Sequence, residues 1–233
     1  MGELTVGSVF SGIDGLGLGL ENAGMAIKWN CEIEPYCRRV LAKRWPHVPN
    51  LGDIKTIDWS TVEHVDLVAG GFPCPDISNA HTNGARLGLF GGKSGLWWEF
   101  SDAIGELAPT WVIIENVAAW RRWVPGVRCD LFDRGYASLP LELSASQFGL
   151  PHHRPRVFVV AHADGQSEPL RAIHAEASRL RPLPRRDGWP ALASAVGSDD
   201  GVPHRVDRLR ALGNAVVPAV AEWIGRRILE VAA

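Results

Sequence analysis

Cys74 stands between two prolines in Gly70-Gly71-Phe72-Pro73-Cys74-Pro75-Asp76, directly after the short apolar run Asp66-Leu67-Val68-Ala69. A strand that breaks into Gly-Gly and then Pro-Cys-Pro presents a thiol on a stiff loop at its carboxyl end, where open α/β sheets bind ligands and do chemistry. A thiol placed there is a candidate nucleophile; the competing reading is a small buried core residue. A second constellation lies near the amino terminus, in Phe10-Ser11-Gly12-Ile13-Asp14-Gly15. A glycine-rich turn between a strand and a helix leaves backbone N–H groups free and lets a ligand approach closely. The spacing is not G-x-G-x-x-G, which disfavours a nicotinamide cofactor. Glu32 ends the second strand pattern, where an acid holds ribose hydroxyls in such folds. Asp53, in Gly52-Asp53-Ile54, is placed to accept from an adenine amino group. Each acid alone is equally a solvated loop residue, but together they describe an adenosine-containing ligand that needs no pyrophosphate.

The elements that must position these groups alternate along the chain. Apolar strand patterns occur at residues 4–10, 26–31, 66–69, 111–114 and 156–161, and helical patterns follow the glycine-rich turn 11–17 to about residue 23 and recur at 35–45, 96–107, 127–134, 207–212 and 218–231. Strands alternating with helices predict an α/β fold with a doubly wound, mostly parallel, Rossmann-like sheet. Between about His162 and Pro203 the periodicity gives way to Pro, Arg, Gly and Ser, which predicts a long loop or small irregular insertion.

Composition narrows the setting. The chain has 233 residues, 46% of them hydrophobic, enough for one good-sized core. Cys31, Cys37, Cys74 and Cys129 show no CxxC spacing, so neither a disulfide framework nor a zinc site is expected. The start of the chain lacks a signal-peptide pattern and no window is long and apolar enough for a membrane span, so a cytoplasmic location is expected. The net charge of −2 hides an asymmetry: residues 1–120 carry 8 Lys and Arg against 14 Asp and Glu, whereas residues 121–233 carry 16 against 12, all 16 being Arg. Arginine matches phosphates and guanine edges bidentately, which points to nucleic acid; an Arg-rich compositional bias accounts for it equally.

Taken in order, Phe10 to Gly15, Glu32-Ile33-Glu34-Pro35, Gly52-Asp53-Ile54, Gly71-Phe72-Pro73-Cys74, Ser94-Gly95-Leu96-Trp97, Glu115-Asn116-Val117, His152 to Arg156 and Gly213-Asn214-Ala215-Val216 resemble the motif series of the cytosine-5 DNA methyltransferase family, in its small phage or prophage-like form. The resemblance covers about residues 4–161 and 204–231. It implies the S-adenosyl-L-methionine (SAM)-dependent version of the fold, a catalytic domain over 1–161 and 204–233, and a reduced target-recognition segment over 162–203. It implies SAM as cofactor, held by Phe10, Ser11, Gly12, Ile13, Gly15, Glu32, Ile33, Asp53, Ile54, Pro73, Leu96, Asn214 and Ala215, and duplex DNA as partner, with restriction-modification or phage self-protection as settings. In the implied chemistry the Cys74 thiolate adds to cytosine C6, Glu115 carries a proton to N3, Arg156 bonds O2, Arg154 supports the pocket and Asn116 orients the loop. The base must leave the duplex stack for this.

Phosphate contacts are expected from Arg86 and Lys93 in the glycine-rich loop 81–93, and base or backbone contacts from Arg179, Arg181, Arg185, Arg186, Trp189, Arg205, Arg208 and Arg210. Several positions depart from the family pattern. Pro75 replaces the usual Gln after the cysteine, His152-His153 replaces Gln-Arg, and Asp14 replaces a glycine in the cofactor turn, with strain expected if its φ is positive. The paired histidines are not spaced to share an ion with an acid, so no metal is expected. The recognition segment is much shorter than the family's, which fits few base contacts or a partner chain that supplies them. A SAM- and DNA-binding homologue with weakened catalysis, and an RNA cytosine-5 methyltransferase, are the alternative readings.

Overall fold

Strands that read as continuous apolar runs have no solvent face and must be covered on both sides. The computed structural model describes residues 2–73, 96–165, 167–182 and 205–232. It builds β1 (Thr5–Val9), β2 (Ala26–Cys31), β3 (Leu67–Gly70), β4 (Trp111–Val117), β5 (Ala137–Ser144) and β6 (Pro155–His162) into one sheet ordered β2-β1-β3-β4-β6-β5. The helices are α1 (Gly15–Ala23), α2 (Pro35–Arg44), α3 (Leu96–Leu107), α4 (Val124–Asp133), α5 (Glu168–Ala177), α6 (Arg205–Asn214) and α7 (Pro218–Ala232). α3 and α4 cover one face with Trp97, Phe100, Val127 and Leu131. α1, α2, α5 and α7 cover the other with Leu20, Leu41, Ile173 and Ile224. The mostly parallel α/β sheet expected from the alternating pattern is the one observed. Among the described residues no helix is long and apolar enough to cross a membrane.

Strand direction decides what meets what. β2, β1, β3 and β4 run parallel, so their carboxyl ends share one rim: Val9 pairs with Cys31 and with Gly70, and Gly70 with Ile114. β6 runs antiparallel to β4, with Val117 opposite Arg156 and Glu115 opposite Phe158. The start of β6 therefore lies on the rim where the other strands end. An arginine opening that strand reaches the same edge as an acid near the end of β4.

Three expectations need correction. β5 is absent from the sequence reading, because Pro140 interrupts its pattern; it is an edge strand, where a residue lacking an N–H is tolerated. The stretch after His162 is not uniformly irregular: α5 opens with Pro169 in its first turn and buries Leu170 and Ile173 against the sheet. Its two apolar anchors three residues apart are a weak periodic signal among polar neighbours. The helical pattern expected to end at Leu212 runs on, with Gly213 and Asn214 as the last two residues of α6.

The glycines of α1 serve packing as much as the cofactor turn. A Cβ on Gly15 would stand 2.1 Å from the Val216 carbonyl oxygen, and one on Gly19 2.3 Å from that of Pro218. α1 and α7 thus approach backbone to backbone. Helix propensity alone favours Gly19→Ala by about 1 kcal/mol. The clash should reverse that sign, with Gly19→Ala losing about 1–3 kcal/mol in urea unfolding.

Candidate active site

The cofactor turn is wound tightly at the end of β1. Phe10, Gly12 and Asp14 all have left-handed backbone, with φ of 53°, 58° and 54°. Ser11 donates its N–H to the Cys31 carbonyl at 3.1 Å and its hydroxyl to the Ser8 carbonyl at 3.0 Å, which fixes the turn against β1 and β2. The Gly12 N–H donates to Glu32 Oε2 at 2.7 Å, and the Glu34 N–H to Glu32 Oε1 at 2.7 Å. Glu32 is thus the post around which the cradle is built, and each oxygen keeps a further lone pair for a ligand hydroxyl.

Asp14 bears the strain expected of a non-glycine residue there. It caps α1 by accepting from the Gly17 N–H at 2.8 Å and also accepts from the Ser8 hydroxyl at 2.9 Å, both at Oδ1. Oδ2 is buried with no partner. Burial pushes the Asp14 carboxyl up to about 6, against the opposing pull of those two hydrogen bonds. Its capping role was not foreseen; an Asp immediately ahead of a helical run is the signal that identifies it.

The cradle fits the nucleoside end of SAM. A Cβ built on Gly12 meets nothing within 4 Å, so the space beside the turn is open. Ile33 next to Glu32 leaves 58% of its surface exposed, an apolar face on the same rim for a heterocycle. Asp53 is exposed and caps the short helical turn 54–56 through the Lys55 N–H at 3.0 Å. Ile54 is buried in the core, Ile13 and Leu96 are half-buried, and Pro73 is exposed at the end of the β3 loop.

The second half of the site is built on β3, β4 and β6. Glu115 is only 9% exposed, and its Oε1 lies 3.1 Å from Arg156 Nε. The two sit diagonally across the antiparallel β4–β6 pair, where long side chains reach one another. A Cβ on Gly71 would come within 2.7 Å of Glu115 Oε2, so the carboxyl lies directly against the backbone leading to Cys74. Asn116 donates its amide to the Phe72 carbonyl at 3.1 Å and accepts from the Val117 N–H, tying the same segment to β4.

Arg156 also donates to its neighbour's carbonyl, on Pro155. Arg154 turns the other way and donates to the Ala215 carbonyl at 3.0 Å, joining the entry of β6 to the α6–α7 junction. Asn214 is exposed beside it and Val216 is in close approach to Gly15. The two half-sites are therefore connected through the backbone of residues 214–218.

Of the remaining expected residues, Cys74, Arg86 and Lys93, and Arg185, Arg186 and Trp189, lie outside the described residues, and Arg205 is placed only by its backbone in α6. Arg179 pairs with Glu176, and Arg181 donates to the carbonyls of Ser178 and Leu180, so both close the end of α5. Arg208 is exposed, and exposed Arg210 lies 3.9 Å from Glu34.

Burial is the dominant influence on Glu115. It raises the carboxyl to about 7 even though Arg156 and, more weakly, Arg154 pull it down. A carboxyl raised in the folded state binds its proton more tightly there than in the unfolded chain. Its contribution to stability is full below the ordinary value of 4.5 and is lost as pH rises through about 7. Glu115→Gln removes that dependence. Wild-type stability measured relative to the variant should therefore fall between about pH 4 and pH 8, by on the order of 3 kcal/mol. Parallel pH–stability curves would show that the carboxyl is not raised.

Comparison with known proteins places this geometry. A family model described as C-5 cytosine-specific DNA methylase matches residues 4–187. The chain is 36% identical over 167 residues to the Type II methyltransferase M2.BsuMI of Bacillus subtilis (strain 168), covering 68% of this chain and 42% of the relative. It is 38% identical over 127 residues to a protein of Escherichia phage P1 named DNA N-6-adenine-methyltransferase, covering 50% of this chain and 17% of that one. Among solved structures, a prophage-encoded DNA modification methyltransferase from E. coli superposes with a TM-score of 0.57 at 25% identity, covering 69% of this chain and 47% of the other. The Dnmt2 methyltransferase of S. pombe, at 19% identity and a TM-score of 0.53, shares the fold. The chain spans less than half the length of M2.BsuMI, the phage P1 protein and the prophage enzyme.

Proposed function

The chain belongs to the C-5 cytosine-specific DNA methylase family, and from that premise we propose that it transfers a methyl group to C5 of a cytosine flipped out of duplex DNA. The observation that carries the reading is the buried Glu115, held against Arg156 and against the Gly71 backbone three residues before Cys74. SAM supplies the electrophilic methyl group when bound, with Glu32 and the backbone of residues 10–15 holding its nucleoside and residues 214–215 closing the cradle.

Cytosine C5 is a poor nucleophile, and the chain's residues are suited to change that. The Cys74 thiolate forms a bond to C6, and the electron pair of the C5–C6 double bond becomes available at C5. Charge that would build up on the ring is taken at N3 by the proton of Glu115 and at O2 by the Arg156 guanidinium. A carboxyl near 7 is suited to this because it holds a proton at neutral pH and releases it at little cost. C5 takes the methyl group as that group's bond to the donor sulfur breaks, and C5 then gives up its proton to water. The restored double bond expels Cys74 as thiolate, and N3 returns its proton to Glu115. Asn116 acts on position alone, by holding the Phe72 carbonyl and with it the start of the thiol's loop.

The name of the phage P1 relative invites a reading as adenine N6 methylation. An exocyclic amine needs neither addition to its ring nor a thiol, so the neighbourhood of Cys74, Glu115 and Arg156 favours the cytosine reaction. Incubation of the wild-type chain with duplex DNA and methyl-tritiated SAM should label cytosine C5. Cys74→Ser should abolish labelling, and Glu115→Gln should lower the rate by roughly 100-fold or more, in the range of losing a proton donor aimed at developing charge. Duplex containing 5-fluorocytosine should trap the wild type covalently. Label on adenine N6 or cytosine N4 would overturn the proposal, and binding without any adduct would make the chain a non-catalytic homologue.

A further inference from the structure

The turn that follows Glu115-Asn116-Val117 carries an exposed aromatic and an exposed cation that the site described above does not use. Trp120, Arg121 and Arg122 form a short 3-10 turn beyond the end of β4. The Arg122 N–H donates to the Ala119 carbonyl at 3.0 Å and the Trp123 N–H to that of Trp120 at 3.2 Å. The turn is pinned from beneath by Trp123, which is fully buried. Its indole N–H donates to the Val117 carbonyl at 3.1 Å, and its ring packs edge-on to Phe72 with centroids 5.8 Å apart. One buried indole therefore ties this turn both to the strand end bearing Glu115 and to the residue two before Cys74.

Above that anchor, Trp120 leaves 42% of its surface exposed, and the Arg121 guanidinium lies 5.6 Å from its ring centroid. A guanidinium held over an aromatic face by a cation–π contact is restrained, while its N–H donors stay available to a further partner. No carboxylate is paired with Arg121 among the described ion pairs. A restrained guanidinium on the rim of a pocket matches an anion with two acceptor oxygens, such as the non-bridging pair of a phosphodiester. Of the arginines already placed at the site, Arg156 is committed to Glu115 and Arg154 to Ala215.

We propose that Trp120 and Arg121 form a DNA-backbone contact beside the base pocket, with Arg121 holding a phosphate and Trp120 stacking on Arg121 while covering the adjoining deoxyribose. The proposal rests on the duplex-DNA reading given above and adds to it a positioning element on the β4–α4 turn. Its role is to hold the strand in register with the pocket and not to take part in bond making.

The test is binding of a fluorescein-labelled mixed-sequence duplex followed by anisotropy across a salt series, with no methyl transfer involved. Each phosphate contact contributes about 0.9 to the slope of log affinity against log salt. Arg121→Ala should weaken binding roughly five- to tenfold at low salt and reduce the slope by about 0.9. Arg121→Lys should keep the slope while losing part of the affinity, and Trp120→Ala should weaken binding with the slope nearly unchanged. SAM affinity, measured by calorimetry, should be the same in all three. An Arg121→Ala protein with wild-type affinity and slope overturns the inference and leaves the methyltransferase proposal standing. A wild type that binds no duplex fails both, whereas one that binds but transfers no methyl group fails only the reaction. A slope change seen only with single-stranded RNA reassigns the contact and overturns it for DNA.

Discussion

A carboxyl group that is nine-tenths buried at the rim of a sheet constrains everything around it. Glu115 can occupy that place only because a guanidinium reaches it from the next strand, and Arg156 can do so only because β6 runs backwards. In an all-parallel sheet the residue opening a neighbouring strand would lie at the far edge, a strand's length away. The reversal depends in turn on β5, which leads into β6 and pairs with it along its length, with Ala137 opposite His162 and Ser144 opposite Pro155. An edge strand with little claim to chemistry thus sets the position of an arginine that the proposed reaction needs.

The same constraint reaches the cofactor cradle. Arg154, two residues before Arg156, holds the Ala215 carbonyl; Val216 follows and meets the Gly15 backbone; Gly15 begins the helix that Asp14 caps. Each of these contacts is made by backbone on one side, so a side chain cannot relax to absorb a shift. Two buried acids stand at the ends of this path, and they differ in what surrounds them. Asp14 is held by a hydroxyl and an amide, neutral donors that fix a backbone conformation. Glu115 is held by a cation and lies against the Gly71 backbone, three residues before Cys74, so its protonation state answers to charge arriving in the pocket.

What the amino-acid order revealed follows from which interactions are local. Buried parallel strands are apolar throughout, so β1 to β4 and β6 announce themselves. Pro140 conceals β5 because nothing local says that it lies at an edge, and α5 has only Leu170 and Ile173 to mark it. Gly15 reads as part of a ligand turn and Gly19 as an ordinary helix residue, when both also serve the close passage of Val216 and Pro218. The pairing of Glu115 with Arg156 could be read as motif order but not as geometry, since a strand's direction is a property of the whole sheet. Cys74 remains a reading from sequence and family. What the structure adds is its approach, with Gly71 under Glu115 and Phe72 held by Asn116.

The placement of α5 also bears on how DNA would be held in the proposed reaction. Its two buried residues return the chain to the sheet immediately after β6, and Arg179 and Arg181 are spent on closing its end. Residues 168–177 therefore pack as part of the sheet's own cover, so the stretch after His162 is not one irregular segment. A small recognition segment makes few specific contacts, and each specific base pair is worth only about 1–3 kcal/mol. In the proposed complex with duplex DNA, affinity would then come chiefly from phosphates, through cations already fixed near the pocket. Such cations are useful only if their geometry is set before the duplex arrives, because ordering a long side chain on binding costs about 0.5–1.5 kcal/mol. An arginine stacked on a tryptophan, above a buried indole that grips both the strand end and the thiol's loop, meets that requirement at the rim itself.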